Sequence, residues 1–285
     1  MYSNYHSHST FCDGRSVMED FVKFAMAHGI SKYGFSSHAP LPFHTQWTMN
    51  EDDYPDYEKE FGRLKRKYDG KIELFLGLEV DFIHECSSVM NDFFKGVKLD
   101  YAIGSVHYLD KFPDVEEYWS VDGPLADFRK GVDFFCGGDI RLAAKRFFEV
   151  SAEMIEVGGI DIVGHADKIT LHGSKYGDFS VSDAWFYSLR GEYLELIKSK
   201  NLILEINTKS LREKGITFPH QCFYPLIKEL EIPVQVNSDC HYPTHVTEGF
   251  AATYKALYEV GFRTMQQLTP AGWVAVEFDE RGLKL

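Results

Sequence analysis

Two histidines separated by one residue, His6 and His8, stand at the end of an opening run, Tyr2-Ser3-Asn4-Tyr5-His6-Ser7-His8, and an acidic turn through Asp13 and Gly14 follows. On a strand, residues i and i+2 share a face, so both imidazoles can reach one cation. Asp13 can reach a second position from the turn. A lone pair of this kind is ordinarily two half-buried histidines bonded to backbone carbonyls. Here the pattern recurs: His38, His107, His165 and His241 each close a stretch of strand character, with Glu79 and Asp239 in or after such stretches. Imidazoles and carboxylates together are the donor set suited to Zn²⁺, Fe²⁺ or Mn²⁺. The other six of the twelve histidines, His28, His44, His84, His172, His220 and His245, read as ordinary. His28 falls at a helix C-terminus, where an imidazolium is favoured in any case. His245 lies close after His241 and is less plainly ordinary.

The elements that must carry these residues alternate between strand and helix. After the opening strand, Ser16 and Glu19 have the spacing of a capping box. The helix they open runs to about His28, with Phe21, Phe24 and Ala25 on one face, and Gly29 ends it. Residues 32–37 form a strand that delivers His38, and Pro40 and Pro42 force a loop. A charged amphipathic helix covers 53–68, a strand carrying Glu79 covers 72–82, a short helix lies near 88–95, and a strand over 99–106 delivers His107. Residues 108–139 are aromatic and acidic with weak periodicity, as in a lid or binding insertion. Then come a helix over 140–157, a strand over 159–163 delivering His165, a polar loop to Ser180, a helix over 183–200 and a strand over 202–207. A helix over 219–230 leads to a strand over 233–236 that delivers Asp239 and His241, and a helix over 246–260 precedes a closing or peripheral strand over 273–278.

Seven alternating units imply parallel strands with right-handed crossovers. Candidate ligands at the C-terminal ends of several strands favour a closed α/β barrel, which builds its site there. An open doubly wound sheet uses fewer strands around one switch point.

The composition, 44% hydrophobic and 26% charged over 285 residues, is that of a globular domain. No apolar run approaches the roughly 20 residues a membrane span needs, and no signal peptide is evident. The five cysteines, Cys12, Cys86, Cys136, Cys222 and Cys240, lack CxxC pairing and read as reduced thiols of a cytoplasmic protein. A net charge of −13 argues against non-specific nucleic-acid binding. An anionic substrate remains compatible, because bound cations reverse the sign locally.

The elements His6-Ser-His8, Ser37-His38-Ala39, Gly77-Leu-Glu79, Gly104-Ser-Val-His107, Gly164-His165-Ala-Asp167 and Asn237-Ser-Asp239-Cys-His241 occur in the order seen in the PHP (polymerase and histidinol phosphatase) family, which the chain resembles from residue 6 to 241. It is most similar to the histidinol-phosphate phosphatase branch, whose chains have a Val-His-Tyr-Leu stretch leading into a long insertion. One departure is Cys240, where alanine is common; lying between two ligands, it should point away from the metals. The resemblance implies one domain over 1–285, a distorted (β/α)7 TIM-like barrel with residues 108–139 inserted over its mouth. It implies three divalent ions. His6, His8, Glu79 and Asp239 would hold the first; a bridging Glu79, His107 and His165 the second; Asp13, His38 and His241 the third. Three such ions against the carboxylates of Asp13, Glu79 and Asp239 leave a local charge of about +3, which attracts a phosphate dianion.

The expected chemistry is hydrolysis of a phosphomonoester, L-histidinol phosphate in the branch resembled, by in-line attack of a hydroxide held between two metals about 3.5–4 Å apart. Glu79 and Asp239 then belong to the catalytic centre, with Arg212 as the phosphate-gripping side chain, since arginine presents a planar fork of donors. Arg15 and Lys168 are further candidate substrate contacts, Asn207 is a candidate orienting amide, and Asp167 would support a histidine or Lys168. Asp110, Trp119, Asp122 and Phe128 in the insertion could supply acid and ring contacts to the leaving group. The expected partner is therefore a small phosphate ester, with neither nucleic acid nor membrane; oligomeric state is not legible. Two alternatives stand beside this reading: a PHP phosphoesterase for nucleotides, sugar phosphates or nucleic-acid ends, and a non-catalytic metal-binding domain.

Overall fold

Among residues 1–284, which the computed structural model describes, seven parallel strands form the centre. They are β1 (Tyr2–Asn4), β2 (Ile30–Phe35), β3 (Glu73–Asp81), β4 (Tyr101–Ser105), β5 (Ile162–Val163), β6 (Ile203–Asn207) and β7 (Val234–Asn237). Their order in the sheet is their order in the chain, so each helical crossover joins neighbours. The helices between them include Met18–Ala27, Tyr54–Lys67, Ile140–Val157, Ala184–Ser199 and Phe250–Val260.

No regular ladder joins β7 to β1, and side chains do much of the closing. Tyr5 N–H donates to Asn237 Oδ1 at 2.9 Å, Asn4 Nδ2 to Ser238 Oγ at 2.7 Å, and His8 N–H to Cys240 O at 2.9 Å. The result is a nearly closed, distorted barrel. Tyr101 fills its interior near β2 and β3, its hydroxyl donating to the carbonyls of Tyr5 and Phe35. Gly34 and Gly77 make that possible, because a Cβ on either would overlap the Tyr101 ring.

An antiparallel sheet of Thr264–Thr269, Gly272–Asp279 and Gly282–Leu283 packs on the barrel end opposite the histidines. Leu268 N–H donates to Tyr5 Oη at 2.9 Å and Trp273 Nε1 to Asp161 Oδ1 at 3.3 Å. The sequence pattern shows only one of these strands. Gln266 and Gln267 interrupt the hydrophobic alternation of the first.

Three helix boundaries depart from expectation. The first helix starts at Met18 behind Val17, so Glu19 is out of capping register. Ser16 Oγ bonds Asp20 Oδ2 instead, and Glu19 takes hydrogen bonds from Arg63, Lys67 and Tyr68. The helix expected over 219–230 begins as a 3₁₀ turn, Gln221–Phe223, before Tyr224–Glu229. The last helix begins at Phe250, because Gly249 takes a left-handed conformation, φ 77°.

Residues 108–139 fold as a hairpin, Tyr108–Lys111 with Tyr118–Ser120, and a helix, Leu125–Cys136. Trp119 is fully buried beneath that helix, donating Nε1 to Phe128 O at 3.1 Å and stacking on Phe135.

Candidate metal centre

The C-terminal ends of the strands converge on one point. β1 continues into His6 and His8, β2 into His38, and β3 carries Glu79 and Asp81. β4 leads to His107, β5 to His165, β6 carries Glu205 and Asn207, and β7 leads to Asp239 and His241. Parallel strands in register bring these ends to a common level, which is why residues more than 200 positions apart meet.

Glu79 lies at the middle. Its Oε2 is 2.9 Å from His38 Nδ1, 3.1 Å from His6 Nε2 and 3.4 Å from His8 Nε2. Its Oε1 is 3.0 Å from His165 Nε2 and 3.6 Å from His107 Nε2, and accepts from Ser105 Oγ at 2.6 Å. Asp239 Oδ1 is 3.2 Å from His8 Nε2 and 3.6 Å from His241 Nδ1. Asp13 Oδ1 is 3.1 Å from His241 Nε2 and 3.8 Å from His38 Nε2. Asp239 itself sits at φ 49°, a left-handed backbone unusual for a residue with a side chain.

Three groups have ligand atoms lying within 4.8 Å of one another: His6, His8 and Glu79; His38, Glu79 and His107; and His8, Asp13, His38 and His241. His6 Nε2, His8 Nε2, Glu79 Oε2 and Asp13 Oδ1 are buried atoms with no hydrogen-bond partner among the described residues. Buried polar atoms normally have partners. Lone pairs aimed at a shared centre, from nitrogen and carboxylate donors, fit divalent transition metals.

The electrostatics agree. Burial alone would raise Glu79, yet His6, His38, His107 and the His165 hydrogen bond hold it well below the usual carboxylate range. Burial would likewise raise Asp239, and Lys209, His6 and His8 outweigh it. Burial lowers His8, and His241 and His38 lower it further. His165 falls to about 4 through burial and Lys168. For His107 burial is overcome by Asp81, Asp122 and Glu79, which raise it to about 9.

A second layer holds the His6 ring and the backbones of His107 and His165. Glu205 Oε1 is 2.6 Å from His6 Nδ1, and its Oε2 accepts from the His165 backbone N–H at 2.8 Å. Asp81 Oδ1 accepts from the His107 backbone N–H at 2.9 Å and lies 3.4 Å from its Nδ1. Neither carboxylate was expected here. The signal available was a charged residue inside an otherwise apolar, central strand, which demands a partner.

Above the centre opens a cleft of about 610 Å³, walled in part by Phe43, Trp47, Tyr108, Tyr118, Asp122 and Lys209. His44 also lines it. Of the expected leaving-group contacts, Asp122 is present, but Trp119 and Phe128 are buried and Asp110 pairs with Arg146 at 2.6 Å. The strand Tyr118–Ser120 alternates, so Tyr118 faces the cleft while Trp119 turns inward.

None of the other expected substrate contacts, Arg212, Lys168, Arg15 and Asn207, lines the cleft. Arg212 is 53% exposed and bonds His245 Nε2 at 3.1 Å, with Glu248 at 3.3 Å. Lys168 is buried with Nζ 3.2 Å from Asp122 Oδ2. Arg15 is exposed, its backbone N–H donating to His241 O at 2.7 Å. Asn207 Nδ2 donates to Glu205 Oε2 and Asp239 Oδ2 at 3.0 and 3.2 Å, orienting ligands from below. Asp167 pairs with Arg190 at 2.8 Å and accepts from the backbone N–H of His220 at 3.0 Å, away from Lys168 and the clustered histidines. Cys240 packs near Tyr33, its Sγ 3.7 Å from the hydroxyl.

Residues 4–209 match the model of the PHP domain. A "Probable histidinol-phosphatase" from Deinococcus radiodurans is 25% identical over 266 residues, covering 91% of this chain and 94% of that one. A solved chain from Listeria monocytogenes superposes with a TM-score of 0.76 at 25% identity, covering 88% of this chain and 99% of its own. The histidinol phosphate phosphatase of Lactococcus lactis, solved with zinc, L-histidinol and phosphate, shares the fold at a TM-score of 0.74 and 22% identity, covering 100% of this chain and 99% of that one. With nine imidazole and carboxylate groups gathered at the mouth of a seven-stranded barrel, and the family model matched over most of its length, the chain belongs to the PHP domain family.

Proposed function

We propose that this protein is a metal-dependent phosphomonoesterase that hydrolyses L-histidinol phosphate to L-histidinol and phosphate, a step of histidine biosynthesis carried out in the cytoplasm. The observation that carries the reading is the buried set of unpartnered ligand atoms around Glu79. Near full-length similarity to a chain named as a histidinol-phosphatase supports the substrate.

Residues 1–285 act as one domain, with 108–139 over the barrel mouth. Three divalent ions, zinc, iron or manganese, would be held as follows: His6, His8, Glu79 and Asp239 around the first, Glu79, His107 and His165 around the second, and Asp13, His38 and His241 around the third. Glu79 is the residue shared by the first two sets, and His38 of the third lies against it, with Nδ1 2.9 Å from Glu79 Oε2.

Divalent ions bound there supply a water-derived nucleophile at neutral pH and positive charge for the phosphoryl oxygens. The chain's own part is to place that chemistry. Glu205 and Asp81 orient the His6 and His107 rings, and Ser105 holds the Glu79 carboxylate. Asn207 orients Asp239. The rings of Phe43, Trp47, Tyr108 and Tyr118 line the space for an imidazole or ammonium group. Arg212 would reach a phosphate at the rim only by giving up its bonds to His245 and Glu248. Lys168 would act on the cleft through Asp122, 3.2 Å from its Nζ, and Arg15 stands exposed outside it.

The test is phosphate release from L-histidinol phosphate, a nucleotide and a sugar phosphate after loading with Zn²⁺, Mn²⁺ or Fe²⁺. Strong preference for histidinol phosphate is expected. Turnover of the other esters alone would reject the substrate, and no turnover on any ester would reject the enzyme reading.

A further inference from the structure

The cleft over the histidines is acidic. Asp13, Glu116, Glu117, Asp122, Asp127 and Asp239 line it, and among the described residues that do so Lys209 is the one lysine or arginine. The other nearby cations are engaged elsewhere. Lys168 is 4% exposed and pairs with Asp122, and Arg212 is bonded to His245 and Glu248.

Lys209 is held at its root. Its backbone N–H donates to Asn207 Oδ1 at 3.0 Å, while Asn207 Nδ2 donates to Asp239 Oδ2 at 3.2 Å. Its Nζ lies 2.9 Å from Asp239 Oδ1, with the side chain 40% exposed to the cleft. The same carboxylate therefore references both the loop and the ammonium. An ammonium has three N–H donors. One directed at Asp239 leaves two for a ligand in the cleft.

We propose that Lys209 is the phosphate-binding cation of this site, its ammonium contacting the phosphoryl oxygens beside Asp239. The proposal rests on the phosphatase reading above for its substrate. It departs from the sequence pattern, which points to Arg212, three residues further on in the helix Leu211–Lys214. Cation balance decides between them. A dianion entering a cleft walled by carboxylates needs an unshared donor within it, and Lys209 supplies one without any rearrangement of the rim.

The experiment compares wild type, Lys209→Met and Lys209→Arg after metal loading. Inorganic phosphate binding is read by calorimetry, KM with p-nitrophenyl phosphate, and metal content by elemental analysis. Lys209→Met is expected to keep its metal, bind inorganic phosphate about 10- to 100-fold more weakly and raise KM by a similar factor, the range of one charge-assisted contact. Lys209→Arg should recover most of the loss. Unchanged phosphate affinity in Lys209→Met overturns the proposal. So does a loss confined to metal content, which would make Lys209 a partner of Asp239 alone. Neither probe contains histidinol, so failure of wild type on histidinol phosphate rejects the substrate and leaves this test standing.

Discussion

Glu205 Oε1 lies 2.6 Å from His6 Nδ1, on the opposite side of the ring from Glu79, and both residues are fully buried. Burial alone would lower His6, yet Glu205, Glu79 and Asp239 together raise it well above the usual histidine range. A proton on Nδ1 shared with Glu205 leaves Nε2 directed at the centre, the arrangement that makes an imidazole a good metal ligand. Glu205→Gln keeps the shape and removes the charge. It should weaken metal binding about 10- to 100-fold, measured by competition with a chelator. Wild-type affinity would reduce Glu205 to a packing role.

Glu79 meets the imidazoles of both halves of the histidine set, with His6, His8 and His38 on one oxygen and His107 and His165 on the other. Glu79→Ala should lose bound metal and lower turnover by more than about 100-fold, beyond what loss of an outer-shell partner costs. Circular dichroism should stay close to wild type, because the barrel's apolar core does not use this residue. Full activity would remove Glu79 from the centre.

Tyr118 stacks on Phe43 at 4.8 Å between ring centroids, and Trp47 donates Nε1 to Tyr108 Oη at 3.1 Å, so two loops share one aromatic wall. Tyr118→Ala should raise KM for histidinol phosphate by about 2- to 30-fold, the span of one cation–π contact, and leave that for glycerol phosphate nearly unchanged. An equal rise for both esters would mean that the ring shapes the cleft without reading the leaving group.

Trp119 is buried between the hairpin and the helix Leu125–Cys136, where Gly131 leaves room for its indole. Trp119→Ala should cost about 3–5 kcal/mol in urea denaturation, as for large aromatic truncations in cores. A cost under about 1 kcal/mol would show the insertion to be loosely attached.

Glu19 joins the first two helices, and hydrogen bonds from Lys67, Arg63 and Tyr68 lower it to about 2 from an ordinary value of 4.5. A carboxylate depressed by folding stabilises the protein above its unfolded value and loses that contribution as pH falls through the folded one. Glu19→Gln should therefore cost up to about 1 kcal/mol at pH 7, the ceiling for solvent-screened pairs, and progressively less from pH 4.5 down to 2. A cost independent of pH would assign the effect to shape rather than charge.

The strand ends show where the boundary between sequence and tertiary structure falls. His6, His8, His38, Glu79, His107, His165, Asp239 and His241 lie in or just beyond apolar runs of strand length, alternating with helical periods. Parallel connection of such runs puts their C-terminal ends on one face, so convergence of these residues was readable from order and spacing. The helix Ile140–Val157 was equally plain, since its periodicity spans five turns. Other matters depended on distances between segments remote in sequence. Glu205 became the partner of His6 because closure of the sheet between β7 and β1 brings β6 within one strand of β1. Lys209 rather than Arg212 entered the cleft because the loop after β6 turns at Asn207 before the helix Leu211–Lys214 carries the arginine to His245 and Glu248. Within the insertion, alternation in a three-residue strand sent Tyr118 to the cleft and Trp119 to the core. Local spacing determines which side chains can share a face; which faces meet, and which charges are already paired when they do, is decided by packing.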